Sequence, residues 1–304
     1  TKSEAKVVKN NGTISLNGEG NIGIYLSGNT KYTSDIENNN IKGSIEISDG
    51  AIGIYADKGA SILENINVTS DSKGNPTIGV ILQGETIQEA GKTEMETKTI
   101  SGNITLTNTN DNVVEGKNIG IYANNSNVVV NNTLTLNNAE SNGTGIYLKD
   151  SVLSGSGTVK ITGIGKEKDG KIPNSVGIYY TSTSQDSPVI SDNSIKVEID
   201  ESNTIGVYVA GSTLTKRSTG GITIGTDENK KVENVTGLVA SAGSTINNKG
   251  AITLNNTYKS IGIASLGGKV NNSGTITLGE KTDSGTGIFL TGNSVFNNQI
   301  TETI

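Results

Sequence analysis

Tyrosine is the one residue type with chemical capacity that keeps a register along this chain of 304 residues. Tyr25, Tyr55, Tyr122, Tyr147, Tyr179 and Tyr208 each stand two positions after the glycine of an apolar-Gly-(Ile/Val/Leu) phrase, and Phe289 takes the same place. Rings repeated at one position can stack into a surface ladder that stiffens a sheet and shields bare backbone beside it. They can also form an aromatic platform for sugar rings or peptide side chains. If the residue between Gly and Tyr faces inward, alternation puts both the rings and the repeat glycines outside. The reverse arrangement has the rings inside and the glycines making room for them.

Paired carboxylates are the second candidate. A glycan-cleaving enzyme needs two or three acids held close on one face, and lyases add calcium or a strong base. Here the acids fall in irregular stretches: Asp71, Glu85, Glu89, Glu94, Glu96, Asp111, Glu115, Glu167, Asp169, Asp227 and Glu228. They recur at no common position on successive repeats, which is the pattern of solvated loop charge. The chain has no His to act as base or metal ligand, and no Cys for a nucleophile, a thiolate site or a disulfide. Gly163-Ile164-Gly165-Lys166 and Gly18-Glu19-Gly20 lack the spacing and the following helix of a phosphate loop. Gly267-Gly268 runs into Lys269-Val270 rather than the Gly-x-Asp of a calcium-binding repeat. The residues therefore point to no catalytic, metal or cofactor site. No turnover of pectin-like, alginate-like or sialylated glycans is expected.

The elements that hold these residues are written in the composition. There are 37 Ile and 21 Val against 15 Leu and 1 Met, a strand bias, with 40 Gly and 38 Asn supplying turns. Net charge is −6, and Arg217 is the sole arginine, so nucleic acid is not an expected partner. No run approaches the ~18 apolar residues of a membrane span, so no membrane contact is expected of these residues. The opening Thr1-Lys2-Ser3 reads as the start of an excised piece of a longer protein.

Internal repetition decides the fold. The Gly phrase recurs ten times, at Gly23, Gly53, Gly79, Gly120, Gly145, Gly177, Gly206, Gly237, Gly262 and Gly287. The spacings are 30, 26, 41, 25, 32, 29, 31, 25 and 25, which fits a 25-residue unit carrying loop insertions. A second apolar segment follows, as in Ser151-Val152-Leu153, Ser212-Thr213-Leu214, Ser244-Thr245-Ile246 and Ser294-Val295-Phe296. A third resembles Gly-Thr-Ile-Thr-Leu, as in Gly12–Leu16, Gly102–Leu106, Gly250–Leu254 and Gly274–Leu278. Each alternates with period two, and three short strands per unit leave no room for a helix. Such units bury their apolar faces only by stacking. The expected fold is all-β, a three-faced parallel β-helix of about ten coils and roughly 50 Å, with 1–304 as a single repeat region. Right-handed winding follows from the handedness of parallel crossovers. A sandwich or barrel would supply strands but not three phrases in constant order. The expected inward ladder is Ile22, Ile24 and Leu26, then Ile52 and Ile54, Ile119 and Ile121, Ile205 and Val207, Ile261 and Ile263. The pairs Asn131-Asn132, Asn247-Asn248, Asn271-Asn272 and Asn297-Asn298 are expected just after the second strand, in left-handed turns whose amides bond coil to coil.

Insertions are where selectivity is expected, because loops of unlike sequence on a rigid scaffold carry recognition. The stretches are Gln83–Ser101, Thr107–Asn118 and Thr162–Ser175, the last two sharing one corner of the coil. The candidate ligand-binding residues are Glu85, Glu94, Asp111, Glu115, Lys166 and Lys168, with Tyr122, Tyr147 and Tyr179 as the nearest rings.

The Gly-Ile-Tyr and Gly-Thr-Ile-Thr-Leu phrases, the Asn-Asn-x-Gly turns and the Asn-, Lys- and Ile-rich, arginine-poor composition together resemble the passenger domains of type Va autotransporter adhesins. The likeness is greatest to the very large outer-membrane adhesins of fusobacteria and covers Gly12 to Ile304. It implies a passenger at the bacterial surface, anchored by a C-terminal barrel outside this sequence and mediating coaggregation or host-cell attachment. The implied partner is a protein or glycan receptor on a host cell or partner bacterium, met by a monomer. The rival reading is a glycan-active β-helix enzyme, a polysaccharide lyase or tailspike-like hydrolase, which a clustered acidic groove would favour.

Overall fold

The structure, a computed structural model, describes residues 4–71, 75–89, 92–108, 118–138, 143–163, 175–183 and 189–298. No helix occurs among the described residues. The Gly phrase forms ten parallel strands in one sheet, from Ile22–Leu26 through Ile52–Ala56 and onward to Thr286–Thr291, joined in strict chain order. The third phrase stacks in the same order, from Thr13–Asn17 to Ile276–Leu278. Each chain segment thus pairs with its equivalent one repeat on. That is a parallel β-helix, with the three phrases as its three faces.

The second face is less uniform. In the C-terminal half it is a separate sheet of five strands: Ile190–Asn193, Thr213–Lys216, Thr245–Asn248, Lys269–Asn272 and Val295–Asn298. In the N-terminal half, Ile62–Ser70 and Lys92–Asn108 each run through the second and third phrases as one strand, so the two faces merge into a sheet of fifteen strands. The corner between phrases is turned within these strands: in Ile62–Ser70 at the left-handed Asn65, where Glu64 and Asn65 are both half-buried, and in Lys92–Asn108 with a register shift between Ser101 and Ile104.

The core is a set of like-residue columns. One column runs Ile24, Ile54, Val80, Ile121, Ile146, Ile178, Val207, Leu238 and Ile263, every member buried, and ends at the exposed Ile288. Each buried aliphatic side chain contributes about 1.5–3 kcal/mol of transfer free energy. Ile24, Ile54, Ile121, Val207 and Ile263 of this column, and Leu26 two residues beyond Ile24, are inward as expected. It corrects Ile22, Ile52, Ile119, Ile205 and Ile261, which sit part-exposed or exposed on the other side of the strand.

The cause lies in the glycines, and it overturns their expected outward placement. Seven of the ten are buried: Gly53, Gly79, Gly145, Gly177, Gly206, Gly237 and Gly262. A Cβ on Gly53 would face Ile45 and Val68 of the third face at 3.5 Å, so the glycine points inward, and so does the residue after it. Two consecutive inward positions break strict alternation, and the residue before the glycine is turned outward. The same Cβ would lie 2.6–2.8 Å from the carbonyl oxygen of the next repeat glycine at every position from Gly23 to Gly262. Only a residue without Cβ permits that approach. The glycine column is therefore a packing requirement of the bend.

Candidate functional site

The first sheet places the rings as a ladder on its outer surface. Tyr25 stacks on Tyr55 at 5.4 Å between centroids. Tyr122, Tyr147, Tyr179 and Tyr208 form a second run at 5.5, 5.0 and 5.1 Å, with interplanar angles falling from 19° to 3°. Ile81 holds the register position between Tyr55 and Tyr122 and splits the ladder. Beyond Tyr208 the position passes to Val239, Ala264 and Phe289. The outward facing of the rings is as alternation from Ile24 requires.

Stacking decides what the ladder can do. Tyr147 and Tyr179 each have a ring on both faces, so neither offers a free π-face to a sugar. The run presents ring edges and a row of hydroxyls, and its end rings Tyr122 and Tyr208 adjoin Ile81 and Val239 in the register. Partial burial raises the phenols of Tyr122, Tyr147 and Tyr179 above the usual tyrosine range, and the Asp150 carboxylate adds to this at Tyr122. They are neutral donors at any physiological pH. Tyr25 instead donates to Asp57 at 2.6 Å, a bond that raises the phenol and lowers the carboxyl.

The longest insertion leaves the coil at the break in the ladder. Directly after the strand Ile78–Gln83, residues Thr86–Glu89 pair antiparallel with 92–95, bringing Ile87 opposite Glu94. The inserted element is thus a β-hairpin shorter than Gln83–Ser101, because Glu96–Ile100 pair in parallel with Ser126–Val130 as a regular coil strand. Glu94 is exposed on the hairpin and Glu85 is exposed at its base, with Lys58 at 3.4 Å. Asp111, Glu115, Lys166 and Lys168 lie outside the described residues. The structure therefore brings Tyr122, Tyr147 and Tyr179 together and sets Glu94 on, and Glu85 at the base of, the hairpin that rises beside Tyr122's coil.

At the root of the hairpin is an ion pair whose acid, Glu96, sequence reasoning assigned to loop charge. Lys98 is fully buried and donates to Glu96 Oε1 at 2.8 Å and to the carbonyls of Asp57 and Ala60 at 2.7 and 3.0 Å. Glu96 Oε1 also accepts the Gly59 amide at 2.9 Å. Burial pushes the Lys98 amine below the ordinary lysine range against the opposing pull of Glu96. The pair ties the returning strand to the preceding coil. Its cation has three partners and no solvent face, an arrangement of a strut and not of a general base.

A second buried lysine, Lys216, has no counter-ion among the described residues. It donates to the Ile195 carbonyl at 2.6 Å, and burial lowers it to about 7. It occupies an inward column that continues as Asn248, Asn272 and Asn298, in which each Asn Nδ2 donates to the next Oδ1 at 2.8 and 3.1 Å. A parallel outward column, Asn247, Asn271 and Asn297, is bonded in the opposite sense, each Asn Nδ2 donating to the preceding Oδ1 at 2.7 and 2.8 Å. The expected amide bonds between coils are present, but these six asparagines belong to strands with extended backbone, not to left-handed turns. Left-handed Asn occurs elsewhere, at Asn38, Asn39, Asn65, Asn125, Asn203 and Asn234. Alternation was the usable signal, since Leu214 inward makes Lys216 inward too.

Among the described residues no group of three metal-ligating side chains converges. A partly open void beside Gly79, Gly120 and Gly145 measures about 30 Å³, far below the size of a small-molecule pocket. Comparison of the chain with protein-family models, with curated proteins and with solved structures finds no match.

Proposed function

We propose that the chain is a segment of a non-enzymatic bacterial adhesin, part stalk and part binding surface. It is exposed at the cell surface and meets a protein or glycan receptor on a host cell or another bacterium. The observation that carries this reading is the hairpin 86–95 standing off an unbroken stack of ten parallel strands, beside the start of the four-ring ladder. A stack of this kind holds unlike side chains at fixed heights along one axis, which suits extended contact with another surface. Export, anchoring through a terminal barrel and a monomeric state are part of the proposal through the likeness to type Va autotransporter passengers.

The test is a blocking assay with the purified chain and a variant in which residues 86–95 are replaced by a tight turn between Glu85 and Glu96. The expected result is a folded variant that blocks attachment or coaggregation less well than the parent. Equal blocking would move binding off the hairpin, and no blocking by either protein would remove the adhesin reading.

A further inference from the structure

The second face of the C-terminal coils carries a groove of about 500 Å³. Its floor is the outward amide column Asn247, Asn271 and Asn297, with Thr215 at one end and Lys249 and Lys269 at its sides. The remaining lining residues are Asn248 and Ser273, so no aliphatic or aromatic side chain contributes. Both lysines are exposed, and among the described residues neither lies in an ion pair. Along the five strands of this face and the residues that immediately follow them, the exposed charges are Arg217, Lys249 and Lys269 against Asp192 alone. Asp192 is already engaged by Arg217 through two bonds of 2.9 and 3.0 Å. On a chain of net charge −6, this is a locally cationic strip.

We propose that this groove binds an acidic polysaccharide lying along the coil axis. The inference deepens the adhesin reading and rests on it only for the biological setting. The ligand class follows from the lining. A floor of amides offers a donor and an acceptor at each coil, about 4.8 Å apart, which matches hydroxyls that both donate and accept. The amide-to-amide bonds hold these groups in place, so little side-chain freedom is lost on binding. Lys249 and Lys269 supply the charge for carboxylates carried by the sugar. An apolar peptide would find nothing to be buried against. A polyanion without hydroxyls would use the lysines and leave the amide column idle.

The experiment is calorimetric titration of the purified chain with oligogalacturonate, with a neutral glucan of equal length and with polyphosphate. Oligogalacturonate should bind, and the neutral glucan should bind at least tenfold more weakly. Lys249→Gln with Lys269→Gln should lower oligogalacturonate affinity at least tenfold, and Lys196→Gln on the third face should leave it unchanged. Asn271→Thr keeps a strand residue but interrupts the column. It should weaken oligogalacturonate binding and not polyphosphate binding, with the fold checked by circular dichroism. No binding of oligogalacturonate, or equal loss for both polyanions in Asn271→Thr, would overturn the proposal. These outcomes are separate from the blocking assay, since a chain that blocks attachment through its hairpin can still fail to bind uronates.

Discussion

Replacing Gly177 by Ala tests the packing that bends the first sheet. Gly177 lies in the strand Ser175–Thr181 with no left-handed φ, so backbone freedom alone gives no reason for glycine there. By propensity the change should stabilise, by about 0.4–1 kcal/mol, because Ala restricts the unfolded chain. The structure argues the opposite. The new Cβ would lie 2.6 Å from the Gly206 carbonyl oxygen and 2.1 Å from Ile161 Cδ1. Non-bonded atoms attract best near ~3.5 Å, so the carbonyl would have to retreat by about 0.9 Å from a position fixed by hydrogen bonds between coils. Overpacking of this sort costs about 1–3 kcal/mol, and two contacts this short put Gly177 toward the upper end, leaving a net loss of up to about 2.5 kcal/mol after the gain from the unfolded chain. Gly287 is the control. A Cβ there meets only Ile276 Cγ2, at 3.7 Å, an ordinary contact, so Gly287→Ala should be neutral or slightly stabilising. The assay is urea unfolding followed by far-ultraviolet circular dichroism, with midpoints compared at constant slope. A Gly177→Ala midpoint at or above the parent's, or equal shifts for both variants, would refute the reasoning.

Three further outcomes follow from the core. Ile121→Asp buries an unpaired carboxylate in a fully closed column and should cost several kcal/mol, whereas Asn125→Asp, at a half-buried left-handed turn position, should be mild; the two melting temperatures check this. Lys216→Met should stabilise the chain at pH 6 by an amount that shrinks toward pH 10. The buried amine, lowered to about 7, bears its full burial penalty below that pH. Above it the folded state sheds the proton before the unfolded state does, so parental stability climbs until the ordinary lysine value is passed. Urea titrations of both proteins across that range read the difference. Asn272→Leu removes the acceptor of Asn248 Nδ2 and the donor to Asn298, and should lower the unfolding midpoint by the equivalent of about 1–3 kcal/mol.

What could be read from the sequence was whatever repeats with a side chain attached. Ile24, Ile54 and Ile121 advertise their column by type and spacing, and the three phrases in constant order give the coil. The glycines were visible as a repeat but not as inward residues, because a residue without Cβ carries no sign of its facing. That silence also misplaced Ile22, Ile52 and Ile119 by one position. The merging of two faces in Lys92–Asn108 was hidden because its Thr, Lys and Glu look like loop residues. Only pairing with Ser126–Val130 shows that Glu96 and Lys98 alternate into the core. For the ladder, sequence showed the register of the rings and left both facings open, and the buried Ile24 column selects the outward one. Nor could sequence tell open platforms from closed stacks, a distinction set by ring separations of 5.0–5.5 Å.

The central claim is that one continuous coil stack sets the height of every outward residue, and distance measurement between paired spin labels tests it most directly. The chain has no Cys, so introduced pairs label cleanly. Tyr25 and Phe289 stand on the first and tenth strands of one sheet, and Tyr122 stands on the fourth. With about 4.8 Å per coil, labels at 25 and 289 should lie ~43 Å apart over nine steps and labels at 122 and 289 ~29 Å over six. The account predicts two narrow distributions separated by about 14 Å, a difference independent of the label arm. Broad distributions, or a Tyr25 pair no longer than the Tyr122 pair, would contradict it.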